Sequence, residues 1–181
     1  NFGVNWQSNN AGQFGKLKFV NNNTGWMYKG NQFENMLWKT TNGGLNWILQ
    51  IHPLSRLLSI DFIDANTGYG GGSPDLMFTT NGGNNWSIYK SESYNADIKI
   101  LSPFSAILVG GNNFIAKTTN SGVNWNNISK DIGSMIGVKF FSTSEGYIFG
   151  EQGIFARSYD GGSTWNKIQT GTLDRLKMFF L

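Results

Sequence analysis

The residues that carry most protein chemistry are scarce and dispersed in this 181-residue chain: no Cys, one His, three Arg (Arg56, Arg157, Arg175) and 11 Asp plus Glu. Without Cys there are no disulfides, thiol nucleophiles or zinc–thiolate centres. The one imidazole, His52, sits beside Pro53 with no second His or Cys nearby, so it is expected to be a loop contact residue, with no metal site and no cofactor. A two-carboxylate hydrolase needs acids facing each other across a cleft. Here the acids are scattered, and only Asp61 has a telling position: it alternates within an apolar strand, where it is a candidate binding residue pointing into a central channel, with a solvated channel-lining side chain the expected reading. Arg56 and Arg175 occupy corresponding positions just before apolar strands three repeats apart, so they are candidates for gripping an acidic partner. Lys plus Arg total 14, giving +3 and a pI near 9.1. These cations form no basic stripe, so nucleic acid is not expected as a partner.

The elements that position these residues follow from composition and repetition. Gly occurs 24 times and Asn 23 times, which disfavours helices and favours turns. Hydrophobics at 39% argue against disorder, and no apolar run reaches the ~18 residues of a membrane helix. One motif recurs: Thr40-x-Asn42-x-Gly44-x-x-Trp47, Thr79-x-Asn81-x-Gly83-x-x-Trp86, Thr118-x-Asn120-x-Gly122-x-x-Trp125 and Ser158-x-Asp160-x-Gly162-x-x-Trp165. A shortened copy ends at Trp6, and the Trp spacings are 41, 39, 39 and 40. Each period also holds an apolar run of the form h-x-h-h (Leu17 to Val20, Ile60 to Ile63, Ile98 to Leu101, Val138 to Phe141, and Met178 to Leu181). A short second strand follows, such as Gly25-Trp26 or Gly68-Tyr69, and a third leads into the motif. A fourth is expected to begin at the motif Trp, and the Trp to drop between neighbouring units. Four short strands per repeat of about 40 residues is the pattern of a β-propeller blade. The chain therefore reads as all-β and as a single partial propeller domain over 1–181, with complete four-stranded antiparallel blades at about 17–51, 57–90, 97–129 and 135–169.

Within the motif, the third-position Asn or Asp can fold its side-chain oxygen onto backbone amides, and the fifth-position Gly supplies a conformation that a Cβ resists. Ser158-x-Asp160-x-Gly162-x-Thr164-Trp165 resembles a full Asp-box, the repeat of bacterial neuraminidase-type propellers. The other copies are variants with Thr for Ser and Asn for Asp. The whole repeat, including Lys39-Thr-Thr-Asn-Gly-Gly before Trp47, is more similar to the photosystem II stability/assembly factor-like propellers. That resemblance covers essentially the whole chain. It implies that the motif residues are structural and peripheral, that the propeller closes with six to eight blades, and that the chain works outside the cytoplasm.

Partial blades at both ends mark the chain as a piece of a larger closed propeller, expected to aggregate or be unstable when expressed alone. A binding face is expected where blade-joining loops (His52 to Arg56, Lys90 to Asn95, Lys130-Asp131, Gly171 to Arg175) meet loops between second and third strands (Asn31 to Asn35, Gly72 to Asp75, Asn112-Asn113, Glu151-Gln152). Two functions remain open. One is a non-enzymatic scaffold that binds a protein or peptide on this face, similar to the assembly factors. The other is a fragment of a secreted sialidase-like or xyloglucanase-like enzyme with its catalytic residues elsewhere. Asn-rich motifs with Tyr and Trp also suit a glycan.

Overall fold

Period-two alternation, broken by Gly- and Asn-rich turns, gives strands and no helices in the described part of the chain. The computed structural model describes residues 16–30, 35–90, 95–128 and 131–176. Four antiparallel sheets each take four strands in chain order. The first blade comprises β1 (Lys16–Phe19), β2 (Gly25–Gly30), β3 (Asn35–Thr40) and β4 (Ile48–Gln50). The second has β5 (Leu57–Phe62), β6 (Gly68–Gly72), β7 (Leu76–Thr79) and β8 (Ser87–Tyr89). The third has β9 (Asn95–Ser102), β10 (Ser105–Gly110), β11 (Ile115–Thr118) and β12 (Asn126–Asn127). The fourth has β13 (Met135–Phe140), β14 (Gly146–Gly150), β15 (Phe155–Ser158) and β16 (Asn166–Lys167). The sequence copies at Asn1–Trp6 and Met178–Leu181 lie outside the described residues.

The apolar cores lie between blades, as they must when flat sheets stack around an axis. Trp26, Leu37, Leu57 and Met77 join blades one and two; Tyr69, Leu76, Ile98 and Leu108 join two and three; Ile107, Ile115, Met135 and Ile148 join three and four. Strand pairing inside each blade obeys a size rule. Phe19, Phe62 and Phe140 lie opposite Gly25, Gly68 and Gly146, and a Cβ at Gly25 or Gly146 would stand 2.7 or 2.6 Å from the facing ring. In blade three the opposed pair is Ile100 and Ala106, a smaller apolar group facing a larger neighbour.

The second strand makes the contact to the next blade. Trp26 stacks flat on Phe62 with centroids 3.5 Å apart, and its indole Nε1 donates to the Gly82 carbonyl at 3.3 Å. Tyr69 and Ile107 cover Gly122 and Gly162 of the blades that follow, where a Cβ would meet them at 2.9 and 2.6 Å. The motif tryptophans meet expectation in part: Trp86, Trp125 and Trp165 pack against the inter-blade clusters, and Trp125 meets Tyr69 of the preceding blade edge-on. They depart from it in that they are half-buried, the fourth strands start one residue after them, and Trp47, Trp86 and Trp165 pack edge-on against Phe19, Phe62 and Phe140 of their own blades. Among the described residues the fully buried inter-blade indole is Trp26.

Candidate functional site

Three regions could carry function: the Asp-box rim, the loop face and the channel between the innermost strands. At the rim, the first-position hydroxyl is buried in every copy, with Thr40, Thr79, Thr118 and Ser158 at 0–1% exposure. It donates to the side-chain oxygen of the third residue at 3.0, 3.0, 3.1 and 2.8 Å. It also accepts from the amide of the fifth residue, Gly44, Gly83, Gly122 or Gly162, at 2.8–3.0 Å. The third-residue oxygen in turn accepts from the amide of the seventh residue at 2.9–3.0 Å. The fourth and fifth residues are left-handed, as at Gly82 (φ 69°) and Gly83 (φ 91°), which places two amides on one side of the turn. Every acceptor in the cage is used internally. Asp160 adds one bond, accepting from the Thr164 hydroxyl at 2.6 Å. Partial burial raises the Asp160 pKa, but the Thr164, Ser158 and Ser163 hydrogen bonds outweigh it and hold the carboxyl down at about 2. The rim is thus a self-satisfied folding element.

On the loop face, Asn side chains tie each blade's connections together. Asn35 donates to the Leu54 carbonyl at 2.6 Å and accepts from the Leu57 amide at 2.7 Å, so it spans the link from blade one to blade two. Asn95 donates to the Pro74 carbonyl at 2.9 Å, and the Asn113 oxygen accepts from the Gly133 amide. In blade four the amides of Gly153 and Leu176 reach the carbonyls of Asp174 and Gly150 at 2.8 and 2.9 Å. In their described parts the two loop sets are tied to one another by these hydrogen bonds. The loop residues 31–34, 91–94 and 129–130 lie outside the described residues.

Of the residues singled out in the sequence, Arg56 is exposed on this surface and has no ion-pair partner among the described residues; its carbonyl accepts from the Ser73 amide at 3.3 Å. Arg175 differs: its Nε lies 3.3 Å from Glu151 Oε1, so the two arginines are not equivalent anchors. His52 is half-buried beside Asn35, and burial lowers its pKa against the opposing pull of the Asn35 backbone. It is neutral at pH 7 and supplies no cation there.

Asp61 lines the channel, but it is not solvated: it is buried at 5% exposure. Its carboxylate meets Lys18 Nζ at 2.6 Å and Lys99 Nζ at 3.0 Å, and accepts from the amides of Phe62 at 3.1 Å and Ile100 at 2.8 Å. One carboxylate thus ties the innermost strands of three blades. Deeper in the channel, Asp97 accepts from the Val138 amide at 3.1 Å and lies 3.8 Å from Lys16 Nζ. Burial raises the Asp97 pKa, opposed by Lys16, Lys139 and the Val138 amide. The sequence reading missed Lys16, Lys18, Lys99 and Lys139. Their signal was the polar x of h-x-h-h (Lys18, Asp61, Lys99, Lys139), which period two must turn away from the apolar layers. Among the described residues no three His, Asp or Glu side chains converge as a metal site.

Sequence and structure comparisons fit this arrangement. Residues 89–174 match the family model described as photosynthesis system II assembly factor YCF48. The photosystem II assembly lipoprotein Ycf48 of Synechococcus sp. (strain CC9902) is 32% identical over 76 residues, which make up 40% of this chain and 23% of that protein. Among solved structures, YCF48 bound to a D1 peptide superposes with a TM-score of 0.70 at 24% identity, over 88% of this chain and 55% of that one. An ancestral GH74 enzyme superposes with a TM-score of 0.73 at 18% identity, over 87% of this chain and 24% of that one. The chain thus spans about half the length of the YCF48 structure and a smaller part of the others. It is a segment of an Asp-box β-propeller similar to the photosystem II assembly factor propellers.

Proposed function

We propose that the chain is part of a non-enzymatic propeller that works outside the cytoplasm and binds a protein or peptide partner on its loop face, in the manner of an assembly factor. The observation that carries this reading is its similarity to Ycf48 in sequence and fold, with a lipoprotein as the curated relative and a YCF48 structure holding a peptide. The surface supports it. The described part of the loop face is tied together by Asn35, Asn95 and Asn113, which lowers the conformational entropy lost there on docking. Arg56 presents a guanidinium there with no ion-pair partner among the described residues, suited to a carboxylate of the binding partner.

Fold likeness to GH74 enzymes supports a carbohydrate-active reading with the catalytic residues outside this segment, since the channel carboxylates within it are not free to act. The two channel carboxylates are held by lysines and backbone amides, and Asp61 has no lone pair left to serve as a general base for an attacking water.

The test uses the full-length protein and a fluorescently labelled Glu-rich peptide, followed by anisotropy. Binding is expected, and Arg56→Ala should weaken it about tenfold, the worth of one charge-assisted hydrogen-bonded contact. Arg175→Ala should have a smaller effect, because Glu151 already shares that guanidinium. Unchanged binding in Arg56→Ala removes Arg56 from the site. Hydrolysis of xyloglucan or aryl sialosides by the full-length protein would overturn the non-enzymatic reading.

A further inference from the structure

We infer that the channel between the innermost strands is a binding site for a small oxyanion, a phosphate or carboxylate group, held by Lys139 and Lys16 beside the Lys18–Asp61–Lys99 clamp. This site is separate from the loop-face arginine and does not depend on it.

The argument begins with charge balance. A cleft of about 420 Å³ is lined by Lys16, Lys18, Lys99 and Lys139 against two carboxylates, Asp61 and Asp97. The lysines come from the innermost strands of blades one, three and four, so the concentration of cations arises only when the blades stack. Asp61 is fully engaged, with two ammonium groups and two backbone amides. Asp97 is shared between the Val138 amide and Lys16, and the Lys16 distance of 3.8 Å is at the outer limit of an ion pair. Lys139 is half-buried and has no hydrogen-bond or ion-pair partner among the described residues; it feels Asp97 only at longer range.

Among the described residues two ammonium groups are therefore left under-neutralised, that of Lys16, whose side chain is 60% exposed, and that of the half-buried Lys139, where attraction for an anion is stronger than at an open surface. Folding of a blade does not require the Lys139 ammonium. Blade two has Asp and not Lys at the same h-x-h-h position and forms the same sheet. An oxyanion seated between Lys139 and Lys16 would complete the charge balance and accept the hydrogen bonds those groups lack. Leu17, Ile60, Ile98 and Phe140 add apolar walls to the cleft. The volume admits a phosphate, a short dicarboxylate or the acidic tip of a peptide, and excludes a folded domain.

The experiment is a titration of the full-length protein with inorganic phosphate and, in a second arm, succinate, each at constant ionic strength maintained with sodium chloride. Thermal midpoint and isothermal titration heat are the readouts. A saturable rise in midpoint with measurable heat is expected in at least one arm. Lys139→Gln should raise the Kd about tenfold or more, while Lys167→Gln, on the exposed outer strand, should leave it unchanged. Response to phosphate alone identifies a phosphoryl group as the ligand, and response to succinate alone a carboxylate; either supports the site. Arg56→Ala should not alter this titration, so loss of loop-face peptide binding and loss of the channel site are read separately. No saturable response in either arm, or equal responses in Lys139→Gln and the unsubstituted protein, overturns the inference. Lys139→Met, which keeps the aliphatic stem, guards against misfolding of the Gln variant, and its unperturbed circular dichroism would confirm an intact fold.

Discussion

The rim and the channel solve opposite problems with the same repeat. At the rim, four copies place the same hydroxyl on the same amide within 2.8–3.0 Å, although their sequences differ at the first, third and fourth positions. In the channel, equivalent positions carry Lys18, Asp61, Lys99 and Lys139, and no two blades make the same contacts. Repetition is enforced where a turn must satisfy its own backbone, since a buried amide without a partner costs about 1–3 kcal/mol. Variation is permitted where side chains face a shared space and only their sum matters. The rim is accordingly about folding, and the channel and loop face are where function can differ between relatives of one fold.

The largest expected effects come from breaking the size rule that the repeats share. Gly68→Ala pushes a methyl into the Phe62 ring, which is itself clamped between Trp26 and the edge of Trp86. Overpacking of that kind should cost about 3 kcal/mol. The same change at Gly146 meets the Phe140 ring, which is only half-buried and has room to shift, so about 1 kcal/mol is expected. Urea unfolding of both variants makes the comparison. Equal losses would show that ring confinement does not set the cost.

Next in size is the removal of a rim hydroxyl. Thr79→Val keeps the volume but deprives the Gly83 amide of its acceptor and the Asn81 oxygen of its donor. About 2 kcal/mol should be lost, and Thr40→Val should lose a similar amount because the cages coincide. In the channel, Asp61→Asn leaves Lys18 and Lys99 facing a neutral amide. About 1–2 kcal/mol is expected, less than for a wholly buried pair because both lysine side chains are 28% exposed. Salt separates the two regions: the Asp61→Asn loss should shrink at high ionic strength, while the Thr79→Val loss should not.

The difference between the regions also explains what the sequence made legible. The Asp-box cage spans eight residues, so its spacing and residue types dictate its hydrogen bonds before any tertiary contact forms. The strand order within each blade follows from the same locality, since consecutive strands are joined by short turns. The clamp on Asp61 joins Lys18, Asp61 and Lys99 across 81 residues of sequence and exists only once three blades share an axis. Alternation could place Asp61 toward the channel, but not reveal which cations would meet it there. That is why a solvated carboxylate was expected and a buried, neutralised one is found. Arg56 and Arg175 illustrate the same limit. They match by position along the repeat, yet Arg175 has Glu151 beside it while Arg56 has no acidic partner among the described residues.

The smallest effect sharpens the comparison within the rim itself. Three boxes carry Asn at the third position, and only blade four carries a titratable Asp160, with its carboxyl held at about 2 against an ordinary 3.8. A folded-state pKa below the unfolded value means the ionised form favours the native state. The stabilisation is complete above about pH 4 and is lost as pH falls through the folded value near 2. Asp160 is exposed at the surface, so solvent screening keeps its contribution below about 1 kcal/mol. Asp160→Asn should therefore be nearly neutral in stability at pH 7, where the Asn boxes already show that a carboxamide fills the same place. Its signature is a flatter decline of stability between about pH 4 and pH 2, measured by urea unfolding across that range. The Thr164 hydroxyl, which donates to Asp160 at 2.6 Å, is one of several hydrogen bonds that hold the carboxyl down, so Thr164→Val should flatten the same interval by a smaller amount. If Asp160→Asn leaves the acid limb unchanged, the box carboxylate contributes nothing beyond its carboxamide counterpart, and the four rim cages are energetically equivalent despite their different residues.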